Sequence, residues 1–477
     1  PEITINWQPA DWITVTERAG ADIYTDQLTY HVNQGDVTYP TGLAENSNYN
    51  FRQYNNDLIV TLKKDFSSRL KSSLVLGNNI FSNYGETMTM VGRDLASAGY
   101  YNIASAASVT STESSYLSRK IGFYGQAEID YDKYLIFNLT GRYDGTSVLS
   151  SGNRYYPYGS AAVAFIFSEL LPASTKRVID FGKFRVSYAS VGNDNVSAYA
   201  TTTPYYQASI GGALNSITFP YSGQNGFLIS SALGNPDLKN ELLKEFETGL
   251  EMKFFQDLVG FELSYFHRNV SQGLMANAQL PYSTGYSTTT LNSAKLHTNG
   301  LELLVNASPV RTKNFRWDMT INFTKTKTIV DEIGNGLDQV EIGFVYATKG
   351  HQFGDYYGDN YARNDKGQLL TSDGLPYSDG NSEIIGNISP NWLGGIQNTF
   401  RYKQLSLSFL LDVKNGGQVQ NTNEYYDLFY GTSVRTLNRK DMVVDGIDAT
   451  TGEKNTTSVS SQSYWQNASY IASEQIQ

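Results

Sequence analysis

The chain has no cysteine. That absence excludes disulfide frameworks, thiol nucleophiles, iron–sulfur clusters and thiolate zinc sites together, whatever compartment the protein occupies. Histidine is nearly as scarce: the four, His31, His267, His297 and His351, form no pair at metal-ligand spacing and no HExxH signature. Charged residues make up only 17%, and 36 basic against 46 acidic side chains leave a net charge of -10. With no basic stripe to release counterions, nucleic acid is not an expected partner. The longest uninterrupted apolar run, Ala161 to Phe167, has seven residues, where a membrane-spanning helix needs roughly 20. There is no GxSxG elbow, and Gly182-Lys183 is followed by Phe184, so a phosphate-binding loop is missing too.

What the chain has in abundance is tyrosine and glycine, 35 and 42 residues, against 5 tryptophans. A hydrophobic fraction of 40% with a mean hydropathy of -0.37 is close to the globular norm. The polypeptide therefore folds. In a soluble protein 477 residues would suggest two to four domains, yet no stretch reads as a linker. The opening Pro1-Glu2-Ile3-Thr4 has neither a basic region nor an apolar core of the kind a leader carries, which implies a processed chain or one that starts within a longer protein.

Period-two alternation dominates, and helical periodicity is almost absent. From Ile121 the residues Phe123, Gly125, Ala127, Ile129 and Tyr131 alternate with Tyr124, Gln126, Glu128 and Asp130. Asp132 and Lys133 then turn the chain, and Leu135, Phe137, Leu139 and Tyr143 alternate with Asn138, Thr140 and Arg142. That is a long antiparallel hairpin. The pattern recurs around Gln256-Asp257, near Pro309, and around Lys403-Gln404. Counted this way the chain holds about fourteen strands, longer than the roughly 5 to 6 residues usual in soluble sheets and matched to the ~9 to 11 of a tilted membrane crossing.

The connections alternate as well. Short ones fall near residues 8–11, 65–68, 132–133, 256–257, 309–314 and 403–404, and long ones at 25–49, 81–117, 192–242, 270–296, 327–390 and 415–463. A strict short–long rhythm is what an up-and-down transmembrane barrel produces, with long extracellular loops at one rim. In lipid every backbone group must be paired within the protein, so such strands close on themselves. Tyrosines at strand ends, such as Tyr131, Tyr134, Tyr143 and Tyr402, suit the membrane interface. The alternative is a secreted β-sandwich adhesin or carbohydrate-binding protein, in which the apolar rows would be buried against a second sheet.

Little in the loops points to catalysis. A pair of carboxylates on separate loops could make a glycosidase, but their spacing is not visible in a sequence. The segment Gly354-Asp355-Tyr356-Tyr357-Gly358-Asp359, with Asn364-Asp365-Lys366-Gly367 and Ser372-Asp373-Gly374, resembles an oxygen-ligand calcium site at first sight. Its spacing does not match a calcium loop, and Asn-Asp-Lys-Gly and Ser-Asp-Gly are turn signals. Flat aromatic side chains beside amides and carboxylates are what sugar or peptide ligands need, so Tyr356, Tyr357, Asp359, Tyr425 and Tyr426 are the candidate substrate-binding residues. Loop aromatics equally pack loops together or against a partner. No catalytic residue, metal site or cofactor is expected.

Ile385-Gly386-Asn387-Ile388-Ser389-Pro390-Asn391-Trp392, followed by Gly394, Gly395, Asn398, Phe400 and Asn415-Gly416-Gly417-Gln418-Val419, resembles the late barrel of SusC/RagA-type TonB-dependent transporters. So do Tyr143-Asp144-Gly145-Thr146-Ser147 with Tyr156-Pro157, Val191-Gly192-Asn193, Asn235-Pro236-Asp237-Leu238, Asn299-Gly300-Leu301-Glu302, and Phe353-Gly354-Asp355-Tyr356-Tyr357-Gly358. The matches run in family order from about residue 115 to 467, with weaker likeness before. Asn240 stands where the family motif usually carries Trp.

The resemblance implies a 22-stranded outer-membrane barrel of a Gram-negative, Bacteroidetes-type bacterium with an internal plug. It implies a SusD-like surface lipoprotein as partner, energy from TonB–ExbB–ExbD through the plug, outer-membrane lipid around the wall, and oligosaccharides or peptides as imported substrates. Residues 1–477 would then be a partial barrel, with the plug and the final strands outside this chain. It implies a transporter and not an enzyme.

Overall fold

The computed structural model describes residues 1–212 and 215–477. Fourteen long strands follow one path of hydrogen-bonded neighbours in chain order: β1 Glu2–Ala10, β2 Ile13–Val32, β3 Leu43–Asp65, β4 Leu70–Leu95, β5 Ala106–Tyr131, β6 Leu135–Thr146, β7 Tyr155–Phe165, β8 Ile179–Asn193, β9 Glu241–Phe254, β10 Val259–Gln279, β11 Thr288–Arg311, β12 Phe315–Glu332, β13 Pro390–Tyr402 and β14 Leu405–Gly416. The ladders from β1 through β7 and from β11 through β14 are antiparallel. The path ends at β1 and β14, each paired on one side only. No helix among the described residues is long and apolar enough to cross a membrane.

The polypeptide forms two compact units. One comprises Pro1–Leu170, Arg185–Glu245 and Ser271–Asn292, the other Leu171–Phe184, Phe246–Val270 and Ser293–Gln477.

In the first unit the alternation reads directly as two faces. Ile3, Ile5 and Trp7 of β1 are 60 to 67% exposed and alternate with Glu2, Thr4 and Asn6. Register carries the apolar face across the sheet: Ile80 lies opposite Ile121, Leu76 opposite Gly125, and Phe123 opposite Tyr143. Leu74, Leu76, Ile80, Phe123, Ile129, Phe137 and Leu139 are all exposed. Among the described residues of this unit no second sheet or helical layer covers these rows, as a sandwich would require. Apolar rows this long left uncovered in water would be an aggregation surface, whereas against acyl chains they are solvated.

The opposite face is polar and internally bonded. Asn79 Nδ2 donates to Asp57 Oδ1 at 2.6 Å and to Asn55 Oδ1 at 2.9 Å. Arg142 donates to Asp144 at 2.6 Å and lies over the Tyr124 ring, while Tyr158 donates to the other Asp144 oxygen at 2.5 Å. Each of these charges has a partner, which is how a polar wall avoids the cost of isolated desolvated ions.

The turns obey local chemistry. Asp132 and Lys133 both have positive φ, 53° and 65°, as a tight hairpin between twisted strands requires. Asp130 Oδ1 accepts from the Lys133 amide at 3.0 Å. Lys403 likewise has φ of 54°.

Two expectations need correction. The spans 25–49 and 81–117 are mostly strand: β4 and β5 run 26 residues each, about 80 to 90 Å when extended, well beyond a membrane crossing. Their distal halves alternate Ser, Thr, Asn and Tyr, so the hydropathy signal fades while the ladder continues. The segment 415–463 is not simply loop: it carries helix α1, Thr422–Tyr430, and leads into α2, Ser461–Ser469. Nine-residue helices have too few turns to show a period against a polar background.

Candidate functional sites and the family of the chain

The expected substrate residues all fall in the second unit, in an assembly built from two long connections. Strand Asp355–Tyr361 pairs antiparallel with Ser378–Asn387. The segment after α2 returns to this strand: Asp359 Oδ1 accepts from the Ala472 amide at 2.8 Å, and Asn360 Oδ1 from the Ser473 hydroxyl at 3.0 Å. Val419 and Gln477 exchange backbone hydrogen bonds at 2.9 and 3.0 Å, and Asn421 donates to Gln475.

Tyr356 is buried, and its hydroxyl accepts from the Gln420 amide at 3.2 Å. Tyr357 is half-buried against Tyr346, with ring centroids 5.4 Å apart. In this arrangement Tyr356 and Asp359 hold the assembly together. Tyr425 and Tyr426 lie on α1 in a different environment. Tyr425 meets Tyr426, Phe429 and Tyr470 at 5.0, 6.1 and 5.4 Å, and hydrogen bonding with Tyr470 pushes its hydroxyl up to about 12. Tyr426, Tyr430 and Tyr470 are exposed, forming an aromatic patch. Beside it α1 and α2 enclose a recess of about 460 Å³ lined by Phe429, Tyr430, Arg439, Ser461 and Trp465.

Sequence reading missed the group that ties these pieces together. Arg435 donates to Glu424 on α1 at 3.1 Å and to Glu474 at 2.5 Å, with its guanidinium 5.1 Å from the Trp465 ring centroid. Tyr361 donates to the second Glu474 oxygen at 2.8 Å. Burial, then the Glu474 charge, drives the Tyr361 hydroxyl well above its usual range. Burial opposes the Arg435 charge, but hydrogen bonds to Glu474 and Glu424 outweigh it. Nothing in the sequence marks these partners, which lie up to 113 residues apart.

Motif residues that carry the family resemblance serve packing. Asn387 Nδ2 donates to Asp355 Oδ1 at 2.8 Å and lies within 3.4 Å of the Gln352 and Phe353 carbonyls. Burial raises the Asp355 carboxyl, partly offset by that Asn387 bond. In the first unit Leu238 is fully buried with Val148, Leu149 and Tyr156, and Asn235 Nδ2 donates to the Thr290 carbonyl at 2.9 Å. Gly192 lies under Tyr156, whose ring would stand 2.6 Å from a Cβ.

The calcium-like stretch consists of turns. Asn364 Oδ1 accepts from the Lys366 and Gln368 amides at 3.0 Å, and Gly367, Asp373 and Gly374 have positive φ. Among the described residues no group of three or more His, Asp or Glu could hold a metal. His267 and His297 come within 6.0 Å ring to ring, but each is bonded elsewhere, to Asn299 at 2.8 Å and Asp331 at 2.7 Å.

The first unit has its own concave polar surface. Phe81, Asn83, Tyr116, Ser118 and Lys120 of β4 and β5 face residues 193–198 across a recess of about 630 Å³. Lys120 Nζ bonds the buried Asp194 at 2.5 Å.

Residues 3–342 match the family described as TonB dependent receptor-like, beta-barrel. TonB-dependent receptor P26 of Formosa agariphila is 28% identical over 336 residues, covering 64% of this chain and 33% of that protein. TonB-dependent receptor SusC of Bacteroides thetaiotaomicron is 23% identical over 226 residues, 46% of this chain and 21% of its own length. Among solved structures, the RagAB peptide importer in its closed-closed state superposes with a TM-score of 0.78 at 16% identity, covering 99% of this chain and 52% of that one. The RagAB peptide transporter gives 0.76 at 16% identity, covering 89% and 48%. The chain thus spans about a third of the first curated relative and about half of the solved chains it resembles. With two-thirds of its length under the family match and its fourteen strands in the same fold, the chain belongs to the TonB-dependent receptor-like β-barrel family.

Proposed function

We propose that this chain is wall and loop structure of an outer-membrane importer that takes up oligosaccharides or peptides together with a SusD-like surface lipoprotein. The observation that carries the reading is the pair of faces. An uncovered apolar row backs onto a hydrogen-bonded polar row along strands longer than a membrane crossing. Wall of this kind is solvated by lipid outside and by water and substrate inside.

The unpaired sides of β1 and β14 would leave backbone groups unsatisfied in lipid, each costing several kcal/mol. On this reading further strands complete the closure, and a plug engaging TonB–ExbB–ExbD opens the path. No bond is made or broken; selectivity comes from the loops, with Tyr425 and Tyr426 on α1 and, in a separate environment against Tyr346, Tyr357 as substrate- or lid-facing residues.

The test is to express the full-length gene product, fractionate membranes and purify it in detergent. Outer-membrane sedimentation, co-purification of a surface lipoprotein, and loss of glycan or peptide uptake on gene deletion are the expected results. A protein that stays soluble and monodisperse without detergent overturns the proposal.

A further inference from the structure

In the second unit the register of β11 and β12 fixes one apolar row: Ala307 stands opposite Met319, Val305 opposite Ile321, and Leu303 opposite Phe323. Residues that face each other across an antiparallel ladder share a face, and so does every second pair along it. Beyond Phe323 the same row changes character. Leu301 faces Lys325, Asn299 faces Lys327, and His297 faces Ile329. From Phe315, where β12 starts, to Phe323 the apolar row covers about nine residues, within the ~9 to 11 of a tilted crossing. Lys325 and Lys327 therefore emerge where the hydrocarbon ends, on the side of the long connections. Aromatic rings mark the same level: Trp392 of β13 lies 5.8 Å from the Phe323 ring, and Tyr265 of β10 donates to Asn299 Oδ1 at 3.1 Å. Rings with one apolar and one polar end settle at a membrane boundary.

The cations at this level are of two kinds. Lys295 bonds Glu332, and His297 bonds Asp331 at 2.7 Å, so both neighbouring carboxylates are taken. Lys325 and Lys327 are exposed and make no hydrogen bond or ion pair among the described residues. Asn299 Oδ1 is engaged twice, by the Tyr265 hydroxyl and by His267 Nδ1 at 2.8 Å, so what the amide has left for a ligand is its donor, Nδ2. In a chain whose net charge is -10, this is a local cationic spot on a face that continues an apolar row. We propose that Lys325 and Lys327, with Asn299 opposite, hold the phosphate of a lipid headgroup in the leaflet on the long-connection side, with the acyl chains of that lipid along Leu301, Leu303 and Phe323.

Three features select that chemistry. The donors are two ammonium groups and an amide N–H, with no acceptor between them, which suits a group made of acceptor oxygens. Same-face neighbours on one strand have Cα atoms about 7 Å apart, and flexible lysine stems let both ammoniums close on one anion. A phosphate, with several acceptor oxygens, can take both and the amide at once, by charge-assisted hydrogen bonds. The third feature is continuity with the apolar row. Lysine stems lie along apolar surface while their heads reach the polar boundary, so headgroup and acyl chains of one lipid are met together. A free anion would gain only the exposed ammonium contacts, which water and salt weaken.

This inference rests on the importer reading, because a wall in the outer membrane is what brings that row against lipid, and it adds a lipid partner to the reading. It is tested on the purified full-length protein, stripped of lipid in neutral detergent, by native mass spectrometry and titration with phosphorylated lipid A, its dephosphorylated form and inorganic phosphate. The phosphorylated lipid binds about tenfold or more tightly than the dephosphorylated one, and excess inorganic phosphate does not displace it. Lys325→Gln with Lys327→Gln brings the two lipids within about threefold of each other, while Lys325→Arg with Lys327→Arg keeps the preference. Lys403→Gln, at a short turn, leaves binding unchanged. Equal binding of the two lipids by the parent, displacement by inorganic phosphate, or a folded double glutamine variant that behaves like the parent overturns the inference. Each of those results leaves the importer reading standing if the protein still sediments with outer membranes and supports uptake, whereas a parent soluble without detergent removes both. Heat-modified gel mobility shows whether each variant is folded, and the parent's own preference decides the matter where a variant is not.

Discussion

Arg435 and Glu474, 39 residues apart, meet at 2.5 Å, and the same guanidinium reaches Glu424 on α1. One side chain therefore couples α1 to the segment that packs on strand Asp355–Tyr361. Glu424 is 7% exposed, so removing the cation strands a carboxylate that has little water to turn to. Arg435→Ala should cost the assembly about 1 to 3 kcal/mol, between the values for exposed and fully buried pairs. Hydrogen exchange over residues 417–477 should rise, with little change in the long ladders. Arg435→Lys restores charge but not the two-pronged geometry or the stacking on Trp465, and recovers part of the loss. Unchanged exchange in the alanine variant would count against the coupling.

Asp355 gives the loops a pH dependence of definite sign. Its carboxyl is raised by burial, only partly offset by the Asn387 hydrogen bond, and one oxygen has no partner. A carboxyl whose folded pKa lies above its unfolded value favours the fold in its protonated form. That contribution is fully present below the unfolded pKa and is lost as pH rises through the folded pKa. Hydrogen-exchange protection of residues 351–389 should therefore fall between acid and neutral pH in the parent. Asp355→Asn removes the titration, and its protection should be flat over the same window. A parallel fall in both proteins would show that another group is responsible.

Gly300 of β11 lies beneath the Phe266 ring, where a Cβ would stand 2.1 Å from the nearest ring carbon. Gly300→Ala must push that ring aside, at about 1 to 3 kcal/mol for an overpacked site. The expected readout is a lower thermal midpoint of the folded band on gels. Combining the change with Phe266→Leu, which frees the space, should recover most of it, and a double variant as unstable as the single one would refute the steric account.

The tight turns and the two faces were legible because period two survives wherever one face meets an apolar medium: Ile121 to Tyr143 reads as a hairpin without coordinates. The distal halves of β2 to β5 were not, since Ser, Thr, Asn and Tyr there carry alternation of shape but little of hydropathy. The cluster of rings that Tyr24, Tyr49, Phe51 and Tyr116 form was lost with them, as Tyr49 and Tyr116 fall in, and Tyr24 beside, spans read as connections. Tyr425 and Tyr426 were found by composition alone. Arg435, Glu474 and Tyr361 could not be, because their pairing is set by how two long connections fold onto each other, and no local pattern encodes that.

If the exposed rows meet lipid, the two faces of one hairpin must respond oppositely to the same charge. Leu76 of β4 belongs to the apolar row and is 46% exposed, while Gln126 of β5 belongs to the polar row, opposite Val75. An arginine on a lipid-facing strand near the membrane midplane costs about 2 to 4 kcal/mol, because acyl chains offer the guanidinium no hydrogen-bond acceptors. On a water-filled face it costs close to nothing. Leu76→Arg should therefore lower the folding yield into lipid vesicles and the thermal midpoint of the inserted protein, with Gln126→Arg near the parent value. In a water-facing sheet the order would reverse, since Leu76→Arg would replace an exposed leucine with a solvated cation and improve solubility. The sign of that difference, measured in vesicles, decides which medium covers the apolar face.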